Sequence, residues 1–208
     1  MKKEVVLILL LAVAILALLS FSQHFNQKSE GDARKAFNED LDRNYPDADS
    51  LNIYGITKIG DGADSYYLLK AWVSYNRTTP CPRLMEVNYY YPTQSYLRRE
   101  QDIVNNCRVC PGQPHCVILY AEEAIIISHT YAGGEQVKAF IDSNPAAKAS
   151  VVLLPVWTNS VSSQSADWVE RANVWQVDWK EPATKEGLSV FISQGENRIL
   201  AVWPLPPG

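Results

Sequence analysis

Residues 65–75 read SYYLLKAWVSY, and this stretch sets the fold reading. Tyr67, Leu69, Ala71, Val73 and Tyr75 recur every second position, which places them on one face of a β-strand. Downstream, residues 83–91 repeat the pattern with Met85, Val87, Tyr89 and Tyr91, and Pro92 closes the run. Upstream, Leu51, Ile53 and Tyr54 lead into a Gly60-Asp61-Gly62 turn. Before them, Ala33, Ala36, Phe37 and Leu41 recur at helical spacing, with Asp32 as the expected N-cap. Asn44-Tyr45-Pro46 stops that helix, because a residue before proline is pushed out of the helical region. The first half therefore reads as one helix and a three-stranded meander.

The second half follows the same order. Residues 122–128, EEAIIIS, read as a short helix, although the isoleucine run also suits a strand. Val137, Phe140 and Ile141 give a further helical face, which Asn144-Pro145 ends. Residues 150–156, SVVLLPV, are a candidate for a buried strand. Trp175, Val177 and Trp179 share a strand face, as do Leu188, Val190 and Ile192. A turn at residues 194–197 leads into a last strand at 199–203, and Pro204, Pro206 and Pro207 end the pairing. Residues 158–167, TNSVSSQSAD, read as a polar loop.

Residues 122–203 resemble PepSY-like domains. The resemblance rests on Glu123-Ala124-Ile125, on Val137 with Phe140-Ile141, and on Trp175, Val177 and Trp179. It continues through residues 189–192, the turn at Gly195 and residues 199–202. The chain reads Ser193-Gln194-Gly195 where such a turn often carries Asp before Gly. The resemblance implies an exported, non-enzymatic binding or modulating module and brings no active residues with it. The first half reads as a diverged PepSY-like unit or a cystatin-like one.

The N-terminus assigns a location. Lys2 and Lys3 precede an apolar run at residues 5–19, VVLILLLAVAILALL. With residues 20 and 21 it is just long enough to span a bilayer. The alternative is a secretory signal cleaved near Ser22. Both lysines lie before the apolar run, so the positive-inside tendency puts the rest of the chain outside the cytoplasm. The expected organisation is an anchor or uncleaved signal at 1–22, a tether at 23–32, a first unit at 33–116 and a second at 117–208. The fold class expected is α+β, an N-terminal transmembrane helix followed by two helix-on-antiparallel-sheet units. Residues 5–21 make the membrane the first expected partner.

Cys81, Cys107, Cys110 and Cys116 cluster where the halves join. In an exported protein an even count reads as two disulfides, and three pairings are open. A zinc site would use Cys107-x2-Cys110, but Cys81 and Cys116 form no second close pair. A redox pair at Cys107 and Cys110 would gain from Arg108, yet Pro111 and Pro114 disfavour the helix that such pairs adjoin. Asn76-Arg77-Thr78 is a glycosylation sequon that export makes usable. His129 ends a helix, where a cation suits the dipole. Glu122 and Glu123 read as solvated charge at a helix start. Tyr90 points away from Tyr89 and Tyr91; core or sheet-edge packing is the expected reading of this cluster, and an exposed aromatic for peptide or glycan the alternative.

Composition is globular, with 47% hydrophobic and 20% charged residues, which excludes a disordered chain. A net charge of -4 gives no footprint for nucleic acid. No HExxH, GxSxG or P-loop spacing occurs, so no catalytic site, metal or cofactor is expected. The expected function is non-enzymatic binding or modulation of a protein or peptide at the cell surface, by a membrane-anchored module outside the cytoplasm. A thiol-redox or metal protein using the cysteines is the first alternative, and a structural envelope component the second.

Overall fold

The structure, a computed structural model, describes residues 29–61, 65–92, 98–109, 116–158 and 170–205. Among the described residues the chain builds two four-stranded antiparallel sheets and three short helices. Helix α1 spans Glu30–Asn44, α2 Ala121–Thr130 and α3 Glu135–Ser143. The first sheet contains β1 (Ser50–Ile59), β2 (Tyr66–Tyr75), β3 (Arg83–Tyr91) and β4 (Arg99–Val104), in that order. The second contains β5 (Lys148–Thr158), β6 (Glu170–Lys180), β7 (Gly187–Ser193) and β8 (Arg198–Pro204), again in sequence order.

This overturns the α+β class. Among the described residues strand outweighs helix by 48% to 23%, so this part of the protein is mostly β. The extra strand comes from two places. β4 forms from REQDIV, a polar stretch without apolar alternation, and turns the expected meander of three into a sheet of four. The β5–β6 hairpin runs to 11 residues on each side, longer than its apolar patterning suggested. Among the described residues no helix is long and apolar enough to cross a membrane. The expected transmembrane segment at 1–22 lies outside them.

Two compact units emerge. One comprises the described residues of Met1–Pro46, Ile53–Ala71 and Val87–Arg99. In it, α1 buries Ala33, Phe37 and Leu41, one stripe at helical spacing. The Phe37 ring lies 4.5 Å from that of Tyr89. The N-cap is Ser29 rather than Asp32, because Asp32 sits at the third helical position and completes a capping box. Ser29 Oγ accepts from Asp32 N–H at 3.1 Å, and Asp32 Oδ2 accepts from Ser29 N–H at 2.9 Å. Tyr90 is half-buried, with its ring 5.9 Å from that of Tyr66.

The other unit comprises the described residues of Asp47–Asn52, Trp72–Glu86 and Glu100–Gly208. Its core packs Ile125, Ile126 and Ile127 of α2 and Val137 of α3 against one face of the second sheet. That face supplies Trp175, Val177, Trp179, Leu188, Val190 and Ile192. The isoleucine run is thus helical, since all three side chains find apolar neighbours in the core. The opposite face carries an aromatic cluster of Trp157, Phe191 and Trp203 with Val174 and Leu154. Phe191 lies 5.4 Å from Trp157 and 4.7 Å from Trp203 between ring centres. Asn173 takes a left-handed φ of 55° opposite Pro155, the one position missing from the β5–β6 ladder. The ladder keeps the same register on both sides of that position.

β5 corrects a second expectation. Residues 150–156 suggested a buried strand, but β5 lies at the sheet's edge. Val152, Leu153 and Val156 are 49%, 39% and 54% exposed.

Candidate functional site

The site begins at the turn between β2 and β3. Asn76 adopts a left-handed φ of 55°, and its carbonyl accepts from the N–H and hydroxyl of Thr79, both at 2.9 Å. Asparagine tolerates this conformation better than most residues. The turn is then tied to two other segments. Asp49 Oδ2 accepts from Arg77 N–H at 2.8 Å, and Asp49 N–H donates to the Ser74 carbonyl at 2.9 Å. The Thr78 carbonyl accepts from Ala149 N–H at 2.8 Å, at the start of β5.

The first turn of α2 supplies two carboxylates with different tasks. Glu123 Oε2 accepts from the N–H groups of Leu119 and Tyr120 at 2.7 and 3.0 Å, two donors just ahead of the first helical turn. Burial raises the Glu123 pKa above the usual carboxylate range, opposed by those two hydrogen bonds. Glu122 is only 5% exposed. Its Oε1 accepts from Ser74 Oγ at 2.9 Å, and Arg77 Nε lies 3.6 Å away. Arg77 itself is half exposed, with a side-chain exposure of 49%. The expectation of solvated charge fails for Glu122, because β2 and the β2–β3 turn cover it. Its partner Ser74 lies 48 residues upstream, a separation over which sequence carries no signal.

These groups border a cavity of about 470 Å³. Asp49, Arg77 and Thr78 line one side, Ala121, Glu122 and Ile125 of α2 a second, and residues 149–151 of β5 a third. The cavity therefore opens beside a sheet edge. Ala149 N–H points away from β6, toward Thr78. Alternate residues of a strand share a hydrogen-bonding direction, so Val151 and Leu153 present their N–H and C=O groups outward too. Among the described residues, no backbone hydrogen bond engages the outer edge beyond Ala149. Pro155, at the next outward position, has no N–H to offer and limits how far a new strand can pair.

The structure distributes the residues singled out from sequence unevenly. Cys81 and Cys107 form a disulfide with Cα atoms 4.9 Å apart, and Cys116 is also disulfide-bonded. Cys107 is therefore paired with Cys81 rather than held as half of a Cys107–Cys110 redox pair or zinc half-site. Cys110 lies outside the described residues. Among the described residues no three His, Cys, Asp or Glu side chains are grouped to hold a metal. Asn76 is exposed on its turn, two residues from a carbonyl that anchors β5.

His129 departs from its expected role as a helix-end cation. Its ring meets that of Trp179 edge-on at 5.9 Å, and Nδ1 lies 2.9 Å from the Ile125 carbonyl. Burial pushes its pKa below the ordinary value of 6.5, outweighing the carbonyl contact that favours the cation. The depressed value means that the unfolded chain takes up a proton first as pH falls. Stability associated with His129 is present above pH 6.5 and is lost as pH drops through the folded-state value. Urea unfolding of wild type and His129→Gln at pH 7.5 and 5.5 checks this. The variant is expected to lose less stability on acidification, and equal losses would refute it.

Compared with protein-family models, curated proteins and solved structures, the chain finds no match.

Proposed function

We propose that the protein is a non-enzymatic binding module, acting outside the cytoplasm, that captures an extended segment of a partner protein along the edge of β5. The carrying observation is that edge, which offers outward backbone groups at Val151 and Leu153 beside a cavity. An added strand gains affinity from main-chain hydrogen bonds and selectivity from pockets for alternate side chains. Pro155 favours a short peptide over edge-to-edge pairing with a second copy, which would need a longer ladder. The resemblance of residues 122–203 to PepSY-like modules supports a binding role without catalysis. The apolar run at 5–19 behind two lysines supports export, with the N-terminal segment holding the protein at the membrane.

A library of random linear heptapeptides panned against the full chain, followed by titration of the selected peptides, tests the reading. Leu153→Pro removes one outward N–H and breaks no bond to β6, so the sheet should survive it. Selected peptides are expected to lose at least tenfold in affinity for Leu153→Pro, the equivalent of about 1.4 kcal/mol. Its melting temperature should stay within a few degrees of wild type. Unchanged binding by a folded Leu153→Pro would sink the edge reading.

A further inference from the structure

We infer that the cavity beside β5 selects a basic side chain, so that the captured segment carries lysine or arginine opposite Val151. This rests on the edge reading above and adds the chemistry of the partner. Side chains directly opposite each other in a ladder lie on the same face of the sheet. Val151 lines the cavity, so a residue paired with it would project toward Glu122.

The charges there are unbalanced. Glu122 and Asp49 bring two carboxylates against the single guanidinium of Arg77. The Asp49 carboxylate is anchored by a backbone N–H, which contributes no formal charge. Glu122 is nine-tenths buried, yet among the described residues the one cation paired with it stands at 3.6 Å, beyond hydrogen-bonding distance, and is half in solvent. Arg77 attracts this carboxylate without hydrogen-bonding it, and its half-exposed position leaves the pair partly screened by solvent. Of its two oxygens, Oε1 takes the Ser74 hydroxyl and the Arg77 contact, while no hydrogen bond to Oε2 is found among the described residues. An entering ammonium or guanidinium would donate to Oε2, with Arg77 free to turn outward. The apolar walls, Ala121, Ile125 and Val151, suit the methylene stem of a lysine or arginine.

Three capped heptapeptides of alternating threonine and valine, identical except for a central lysine, norleucine or glutamate, test this by titration against the full chain. Norleucine keeps the lysine stem and removes the charge. The lysine peptide is expected to bind about tenfold more tightly than the norleucine peptide and to lose part of that margin in high salt. Glu122→Gln should bring the two within about twofold of each other, and the milder surface variant Asp49→Asn should narrow the gap without touching the buried cluster. Equal affinity for the lysine and norleucine peptides, with both abolished by Leu153→Pro, would overturn the cation inference and leave the edge reading standing. Binding that ignores Leu153→Pro, or no binding of any peptide at millimolar concentration, would overturn both.

Discussion

Replacing both Cys81 and Cys107 with serine is expected to lower stability by about 3.5 kcal/mol, the chain-entropy value for closing a loop of 26 residues. The location supports a full effect. Cys107 sits in a tight reversal where Asn105 pairs with Arg108 and both central residues, Asn106 and Cys107, are left-handed. β4, which feeds that turn, buries little besides Val104. Arg83 Nη2 and Asp102 Oδ1 link β3 to β4 at 2.7 Å, but both are well exposed and such a pair contributes little. The crosslink therefore holds a strand that has few apolar contacts of its own. Guanidinium unfolding measures the loss. The denaturant slope should also rise, because the unfolded variant is no longer compacted by the loop. A change below about 1 kcal/mol would show that the remaining bridge at Cys116 already restrains the unfolded chain enough.

The same strand marks the boundary of what sequence could reveal. Residues 65–75 and 83–91 announced β2 and β3 because each buries one face, and burial enforces alternation. β4 has no buried face to enforce a pattern, so REQDIV carried no signal and the first sheet was read one strand short. β5 failed in the opposite direction. Its run of valine and leucine matched a buried strand, but position in the sheet is a tertiary fact, and an edge strand can carry the same residues. Together these errors produced a helix-on-sheet class for a chain that is mostly β. The N-cap was missed by three residues although Ser29 and Asp32 have the spacing of a capping box. The site was not legible at all. Ser74, Arg77 and Glu122 are ordinary residues of a strand, a turn and a helix start, and only the fold brings them together.

Trp179→Ala should cost about 3–5 kcal/mol, the range for deleting a fully buried aromatic. Trp179 has no exposed surface and bridges the second sheet to α2. Its Nε1–H donates to Ser128 Oγ at 3.0 Å, and the Ser128 hydroxyl donates onward to the Ile125 carbonyl at 2.6 Å. Volume and hydrogen bond can be separated. Trp179→Phe keeps much of the buried ring but removes the donor, while Ser128→Ala leaves the indole N–H buried without its partner, at a cost of about 1–3 kcal/mol. Ser128 and Trp179 act through one bond, so the double variant should cost less than the sum of the singles. Strict additivity in urea unfolding would mean that the bond contributes nothing beyond packing. The effect also reaches the proposed site. The tryptophan braces the C-terminal half of α2, and the first turn of the same helix carries Glu122. If that bracing positions the carboxylate, Trp179→Phe should weaken the lysine peptide more than the norleucine peptide at a temperature where the variant is fully folded. Equal weakening of both peptides would confine Trp179 to stability alone.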